Sequence, residues 1–160
     1  MTEIRNLHHA AYRCRDSEET RAFYEDFLGL RLSNALTICT TMTGREAQVL
    51  HTFFEMADGS CLAFFEEPGE AFEFKDQRDF DLHIALEVSR ETLLEMFEKG
   101  KAAGIETRGI SDHGFIDSIY FRDPNGYVIE LAAAKEDAAG ERPDAHQILA
   151  EWQATKAAGG

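Results

Sequence analysis

The sequence is short of cysteine, proline and positive charge. It has three Cys and three Pro in 160 residues, and 16 Lys and Arg against 30 Asp and Glu, which gives a net charge of −14. Cys14, Cys39 and Cys61 are odd in number, widely spaced and free of any Cys-x-x-Cys pattern, which argues against a disulfide framework or a cysteine zinc site. Nucleic acids and anionic membranes attract clustered Lys and Arg. We therefore expect neither as a partner.

Long apolar runs are also missing. No stretch approaches the roughly 20 apolar residues that a membrane-spanning helix needs. The N-terminus lacks the charged-then-apolar pattern of a signal peptide, so we expect a cytoplasmic protein. At 160 residues, the chain is long enough for one domain with a full core and too short for two ordinary domains.

What the sequence does contain is a repeated order of elements. In residues 4–66, the alternation of apolar and polar side chains and the turn residues predict a strand, a helix capped by Asp16, and three further strands. After a charged linker at 67–79, residues 80–134 repeat this order, with Ser89 capping the second helix. The sequence therefore predicts an α+β fold of two tandem βαβββ modules.

The last strand of the second module carries a carboxylate among apolar residues. The turn at 123–126, Asp-Pro-Asn-Gly, closes a hairpin. Beyond it, Glu130 shares a strand face with Val128 and Ala132. A carboxylate is seldom buried without a partner. Either a cation or hydrogen-bond donors meet Glu130 inside the fold, or the strand is an edge strand with a solvated face.

Two histidines occupy matching places in the repeat. His9 and His83 lie in the first strands of the two modules, and each is followed two residues later by an Ala on the same face. With Glu130 they form a candidate facial triad for Fe(II), Mn(II), Co(II), Ni(II) or Zn(II), with positions left for water, oxygen or substrate. The first module has Ala63 where the second has Glu130. The alternative is that both histidines are ordinary half-buried side chains.

These stretches resemble the vicinal oxygen chelate superfamily, which includes glyoxalase I, fosfomycin resistance thioltransferases, methylmalonyl-CoA epimerase and extradiol ring-cleaving dioxygenases. The matching segments are HHAAYRCRDSEETRAFYEDFLGL, FDLHIALEVS and SIYFRDPNGYVIEL. The resemblance implies one domain over residues 1–134, whose curved mixed sheet wraps a divalent metal. Its implied ligands are His9, His83 and Glu130, with His8 as the rival for the first.

The resemblance also implies a homodimer. In some superfamily dimers one subunit's first ligand joins the other subunit's remaining two, and the sequence leaves open whether the site here lies within a chain or between chains. Residues 135–160 lie beyond the resemblance. We expect them to form a C-terminal tail with a short helix, capped by Asp144 and carrying Ile148, Leu149 and Trp152, that packs on the body or on the partner subunit.

The resemblance favours some reactions over others. Glyoxalase I and related epimerases use a further carboxylate at the position of Ala63, so they are disfavoured. Tyr120, ten residues before Glu130, matches a tyrosine beside the metal in extradiol dioxygenases. His113 is similar to a histidine that in the family lies near bound oxygen or substrate. The spacing between His113 and Glu130 is two residues shorter in this sequence than in the family. Our best hypothesis is an extradiol-type dioxygenase, with Fe(II) as the favoured metal and a small catecholic or vicinal-oxygen substrate.

Other positions keep alternatives open. Extradiol enzymes have a further acid–base histidine where this chain has Ser60, and His51 on the preceding strand could replace it at the substrate. Arg13 shares the face of His9, so it either binds an anionic group of the substrate or is a surface charge at a strand end. A glyoxalase-like lyase or thiol transferase is the alternative reaction. A drug-binding protein of the bleomycin resistance type, which generally lacks the triad, is the alternative of another class.

Overall fold

The computed structural model describes residues 3–135 and 144–158. These residues form two βαβββ modules and a C-terminal helix. The first module contains β1 (His9–Arg13), α1 (Ser17–Arg21) with a π-helical turn (Ala22–Phe27), β2 (Arg31–Thr40), β3 (Glu46–Glu55) and β4 (Cys61–Glu66). The second contains β5 (Ile84–Glu87), α2 (Arg90–Ala102), β6 (Thr107–Asp112), β7 (Ile116–Arg122) and β8 (Val128–Ala134), and α3 (Ala145–Ala158) follows it.

Each module forms one four-stranded mixed sheet. The strand orders are β1-β4-β3-β2 and β5-β8-β7-β6. In both sheets the first strand pairs with the last in parallel, and the other pairs are antiparallel. The structure therefore confirms the α+β class and the duplicated βαβββ order.

Strand pairing also confirms the register of the repeat. Ala11 on β1 pairs with Ala63 on β4, and Ala85 on β5 pairs with Glu130 on β8. Ala11 lies two residues after His9, and Ala85 lies two residues after His83. Ala63 and Glu130 are therefore equivalent positions, and only the second module has a carboxylate there.

The first strand of each module is shorter than the alternation predicts. β1 has five residues and β5 has four. Before β5, the backbone N–H groups of Asp81 and Leu82 both donate to the carbonyl of Arg78. These groups form a turn instead of a strand ladder, so His83 lies directly before β5 and not within it.

One hydrophobic core joins the two modules. Phe27 of the π-helical turn packs edge-to-face on Phe121 of β7, with ring centroids 5.2 Å apart. The hydroxyl of Tyr24 donates to Asp123 at 2.9 Å, and Asp123 also accepts the backbone N–H groups of Asn125 and Tyr127. The Asp-Pro-Asn-Gly turn of the second module is therefore anchored to the helix of the first.

We expect Asp123→Ala to lower the free energy of unfolding by about 3 kcal/mol or more, because each buried donor left without an acceptor costs roughly 1–3 kcal/mol. Urea denaturation measures this difference. The control is Asp81→Ala, which removes only an exposed ion pair with Arg78 and should cost less than about 1 kcal/mol. Equal losses in the two variants would contradict the anchoring role of Asp123.

The C-terminal helix is separate from the two sheets. Asp144 accepts the backbone N–H of His146 at 2.9 Å, which confirms the predicted cap. Ile148, Leu149 and Trp152 are each more than half exposed. The helix face that they form is not covered by the body of the same chain. Residues 136–143 of the predicted tail lie outside the described residues.

Among the described residues, none of the helices has the length and apolar character of a membrane span.

Candidate metal centre

Glu130 is buried in the middle of the second sheet. Its strand, β8, lies between β5 and β7, which rules out the edge-strand alternative. The side chain faces Tyr120 across the β7–β8 pair, and the residue is 5% exposed. Ser118 donates a hydrogen bond from its hydroxyl to Oε1 of Glu130. The other carboxylate oxygen requires a further partner, because a buried charge is costly unless it is paired.

His83 supplies that partner. Its Nδ1 lies 2.7 Å from the carbonyl oxygen of Asp79, and since a carbonyl only accepts, Nδ1 carries a proton. Nε2 of His83 then faces Oε2 of Glu130 at 3.1 Å. Two bare lone pairs at this distance repel, so either a proton or a cation must lie between the two atoms. An imidazole oriented through Nδ1 beside a carboxylate is a donor set that fits a divalent metal.

His9 lies on the sheet of the other module. Its Nδ1 is 2.7 Å from Nδ1 of His8, and its ring centroid is 5.7 Å from that of Phe53. Within residues 3–135 and 144–158, no group of three His, Cys, Asp or Glu side chains comes together closely enough to hold a metal. The single chain therefore brings His83 and Glu130 together and leaves His9 apart, and the complete triad stays a prediction.

The face of the first sheet that carries His9 is aromatic. The ring of His51 lies 6.3 Å from that of His9 and stacks on Phe65 at 3.7 Å, with Phe53 beside it at 4.2 Å. Nδ1 of His51 is 3.0 Å from the carbonyl oxygen of Phe64, so the proton is on Nδ1 and Nε2 can accept. His51 therefore lies near His9, and its Nε2 atom takes no part in the hydrogen bond to Phe64.

Tyr120 and His113, the two predicted catalytic residues, are in contact. The hydroxyl of Tyr120 lies 2.9 Å from Nε2 of His113, and Tyr120 is the cross-strand neighbour of Glu130. Burial, and then the charge of Glu130, raise the pKa of Tyr120 above its usual value. The phenol is therefore protonated at neutral pH and can donate a hydrogen bond.

Arg13 and Ser60 each have hydrogen-bond partners of their own. Arg13 contacts the Glu67 carboxylate at 3.2 Å, and its guanidinium also donates to the carbonyl oxygens of Glu67 and Glu70. Ser60 donates from its hydroxyl to Asp58 at 2.6 Å within the β3–β4 turn. The charge of Arg13 is thus already paired, and Ser60 serves the turn.

Sequence reasoning missed three residues around this centre: Ser118, Asp79 and Arg108. Ser118 could have been found, because it lies two residues before Tyr120 on the same strand face. The strand registers also make it the counterpart of His51 in the repeat. Asp79 and Arg108 are ion-paired at 2.7 Å across 29 residues of sequence, and no local pattern signals such a contact.

The sequence and the fold identify the family. A sequence profile of the Glyoxalase/Bleomycin resistance protein/Dioxygenase superfamily matches residues 6–131. The chain therefore belongs to this superfamily, as the three sequence segments indicated. No protein with a curated description matches the sequence.

Solved structures with the same fold include fosfomycin resistance proteins. FosX from Listeria monocytogenes is 25% identical, with a TM-score of 0.64 over 85% of this chain and 98% of FosX. A complex of FosX with Mn(II) and sulfate is 22% identical, with a TM-score of 0.63 over 85% and 95%. A glyoxylase/bleomycin resistance protein/dioxygenase domain from Frankia sp. EAN1pec is 17% identical, with a TM-score of 0.66 over 83% and 100%. A divalent metal is therefore present in at least one protein of this fold.

Proposed function

We propose that the protein is a divalent-metal-dependent enzyme that works as a homodimer. In this proposal His83 and Glu130 of one subunit bind the metal together with His9 of the partner subunit. The observation that carries it is the 3.1 Å approach of His83 Nε2 to the buried Glu130 carboxylate, while His9 lies on the other module. Two imidazoles and one carboxylate leave positions free for substrate.

The reaction that the surrounding residues support best is extradiol-type ring cleavage. Fe(II) at these ligands would supply the redox chemistry that lets O₂ react with two neighbouring substrate oxygens. The ring C–C bond beside the diol breaks, and both atoms of O₂ enter the ring-opened product as a carboxylic acid and a carbonyl oxygen. The substrate supplies all the electrons that O₂ takes up, so no external reductant is needed.

Three residues have roles in this proposal. With a proton on Nε2, His113 donates to the phenol oxygen of Tyr120, which leaves the Tyr120 O–H free to donate to a substrate oxygen. The Nε2 atom of His51 lies on the aromatic face of the first sheet and serves as the base that takes the substrate proton. Ser60 cannot fill this role, because a hydroxyl group is a poor proton acceptor.

The charges around the centre support an uncharged aromatic substrate. Arg13 and Arg108 lie on the same sheet faces as the candidate ligands, and both are paired with carboxylates. An anionic group would have to displace one of these ion pairs. Phe53 and Phe65 provide flat apolar surface beside His51, against which an aromatic ring can pack.

A second candidate is the addition of water or a thiol to a small epoxide. The similarity to FosX supports it, and position 60 is a serine instead of the acid–base histidine that the resemblance implies for an extradiol enzyme. A FosX variant has been solved with Mn(II) and 1S,2S-dihydroxypropylphosphonic acid, which carries two vicinal oxygens and an anionic phosphonate. In the present chain that phosphonate would have to compete with Glu67 for Arg13.

One experiment separates these functions. The protein is purified anaerobically without a histidine tag, its metals are measured, and O₂ uptake is followed with Fe(II) and a panel of catechols. Fosfomycin with Mn(II) and water or a thiol is assayed in parallel. Catechol-dependent uptake supports the dioxygenase, and turnover of the epoxide alone supports the second candidate. If no metal binds, the enzyme proposal fails and a drug-binding protein becomes the better account.

We expect Tyr120→Phe to lower kcat with catechols by about 100-fold while the metal content stays unchanged, because the variant loses a hydrogen bond to the developing charge. Steady-state O₂ uptake measures this change. The control is Tyr12→Phe, whose ring lies on the opposite face of β1 from His9 and packs on Tyr127. Full activity in Tyr120→Phe would remove Tyr120 from the mechanism.

A further inference from the structure

The loop before β5 contains a residue that contacts the candidate centre in two ways. The backbone carbonyl of Asp79 accepts the Nδ1 proton of His83 at 2.7 Å. The carboxylate of the same residue accepts from both terminal nitrogens of Arg108, at 2.7 and 3.1 Å. A two-pronged ion pair of this kind fixes direction as well as distance. Asp79 therefore connects a candidate metal ligand to an arginine on β6.

Arg108 continues this connection to the candidate catalytic tyrosine. The guanidinium carbon of Arg108 lies 5.2 Å from the ring centroid of Tyr120, within the range of a cation–π contact. Arg108 and Tyr120 are also cross-strand neighbours on β6 and β7. Tyr120 in turn lies opposite Glu130 on β8. One arginine thus contacts both the loop that carries His83 and the ring beside Glu130.

The location of His83 makes this connection important. Because His83 precedes the first residue of β5, its orientation depends on the loop more than on the strand ladder. The Asp79 and Arg108 side chains are 31% and 45% exposed. An ion pair this exposed contributes little to global stability. Its main effect should therefore be on the geometry of the centre.

We propose that the Asp79–Arg108 ion pair positions the metal centre, holding His83 with Nε2 toward Glu130 and holding the Tyr120 ring beside the same carboxylate. Both are positioning residues, and neither is a ligand. This inference rests on the proposed metal site. It makes metal affinity depend on an ion pair that touches no metal, since the orientation of a ligating histidine is set by the group bonded to its other nitrogen.

The test uses Co(II), whose visible absorption reports coordination, and the full-length dimeric protein. Asp79→Asn and Arg108→Lys should each weaken Co(II) binding by about 10-fold or more and alter its visible bands. Both substitutions keep the size or charge of the side chain, and thermal unfolding checks that they remain folded. The matched control is Arg78→Ala, which breaks the Arg78–Asp81 pair of the same loop and should leave affinity and bands unchanged.

The reversed pair provides a second measurement. Asp79→Arg combined with Arg108→Asp should bind Co(II) more tightly than either single reversal, because the ion pair is restored. Wild-type affinity in Asp79→Asn, or equal weakening in Arg78→Ala, would overturn the positioning role. Failure of the wild-type protein to bind Co(II) would instead overturn the metal site itself, and the wild-type titration shows this before any variant is compared.

Discussion

Glu130→Gln should lower the affinity for a divalent metal by about 100-fold or more, and should reduce metal-dependent turnover to background. The substitution keeps the size of the side chain and removes the negative charge that faces His83 Nε2 at 3.1 Å. Loss of a residue that only orients a ligand costs roughly 10–100-fold in affinity, and loss of a ligand should cost more. Equilibrium dialysis followed by metal analysis measures the change.

A matched carboxylate tests whether the effect belongs to the site. Glu87 is an exposed residue at the end of β5, on the strand that begins directly after His83. Glu87→Gln removes the same charge from the same sheet, and we expect it to bind metal as the wild type does. If Glu130→Gln also retained its metal, the contact between His83 and Glu130 would be an ordinary ion pair and not part of a metal site.

The module architecture could be predicted because each of its signals is local. Gly59 and Gly126 both have positive φ, at 83° and 93°, and they close equivalent turns before β4 and β8. Ala63 lies four residues after Gly59 and Glu130 lies four residues after Gly126, so the turns alone predict that the two positions are equivalent, and strand pairing confirms it. Alternation and turn chemistry therefore determined which residues share a face.

The details that depend on tertiary placement could not be predicted in this way. Apolar alternation runs on through Leu82, although the backbone there forms a turn, and so His83 was placed inside a strand. No local pattern signals that the charge of Arg13 is paired with Glu67, 54 residues away. The apolar–polar alternation of a strand predicts which face a side chain lies on, and it does not predict which distant residues that side chain contacts.

The same limit applies to the metal centre. Equivalent places in a duplicated unit suggest that His9, His83 and Glu130 converge, but two modules can meet within one chain or between two. Within the described ranges 3–135 and 144–158, one chain holds only the His83–Glu130 pair in contact. This geometry is the basis of the proposal that the partner subunit completes the site, and mixing of variant subunits tests it.

Mixing inactive subunits should restore activity. His9→Ala and His83→Ala homodimers should each be inactive, because every site lacks one ligand. After subunit exchange, about half of the dimers at equal mixing are heterodimers, and each has one site with both histidines and one site with neither. We therefore expect about one quarter of the wild-type metal sites and activity to return.

The alternative geometry predicts a different result. If each chain built its own site, every site in the heterodimer would still lack one histidine, and mixing would restore nothing. A mixture of His83→Ala with Glu130→Gln subunits is the control, because both substitutions affect the same half of the site and no dimer regains a complete set. Recovery in the first mixture and none in the second would show that the two subunits share each metal.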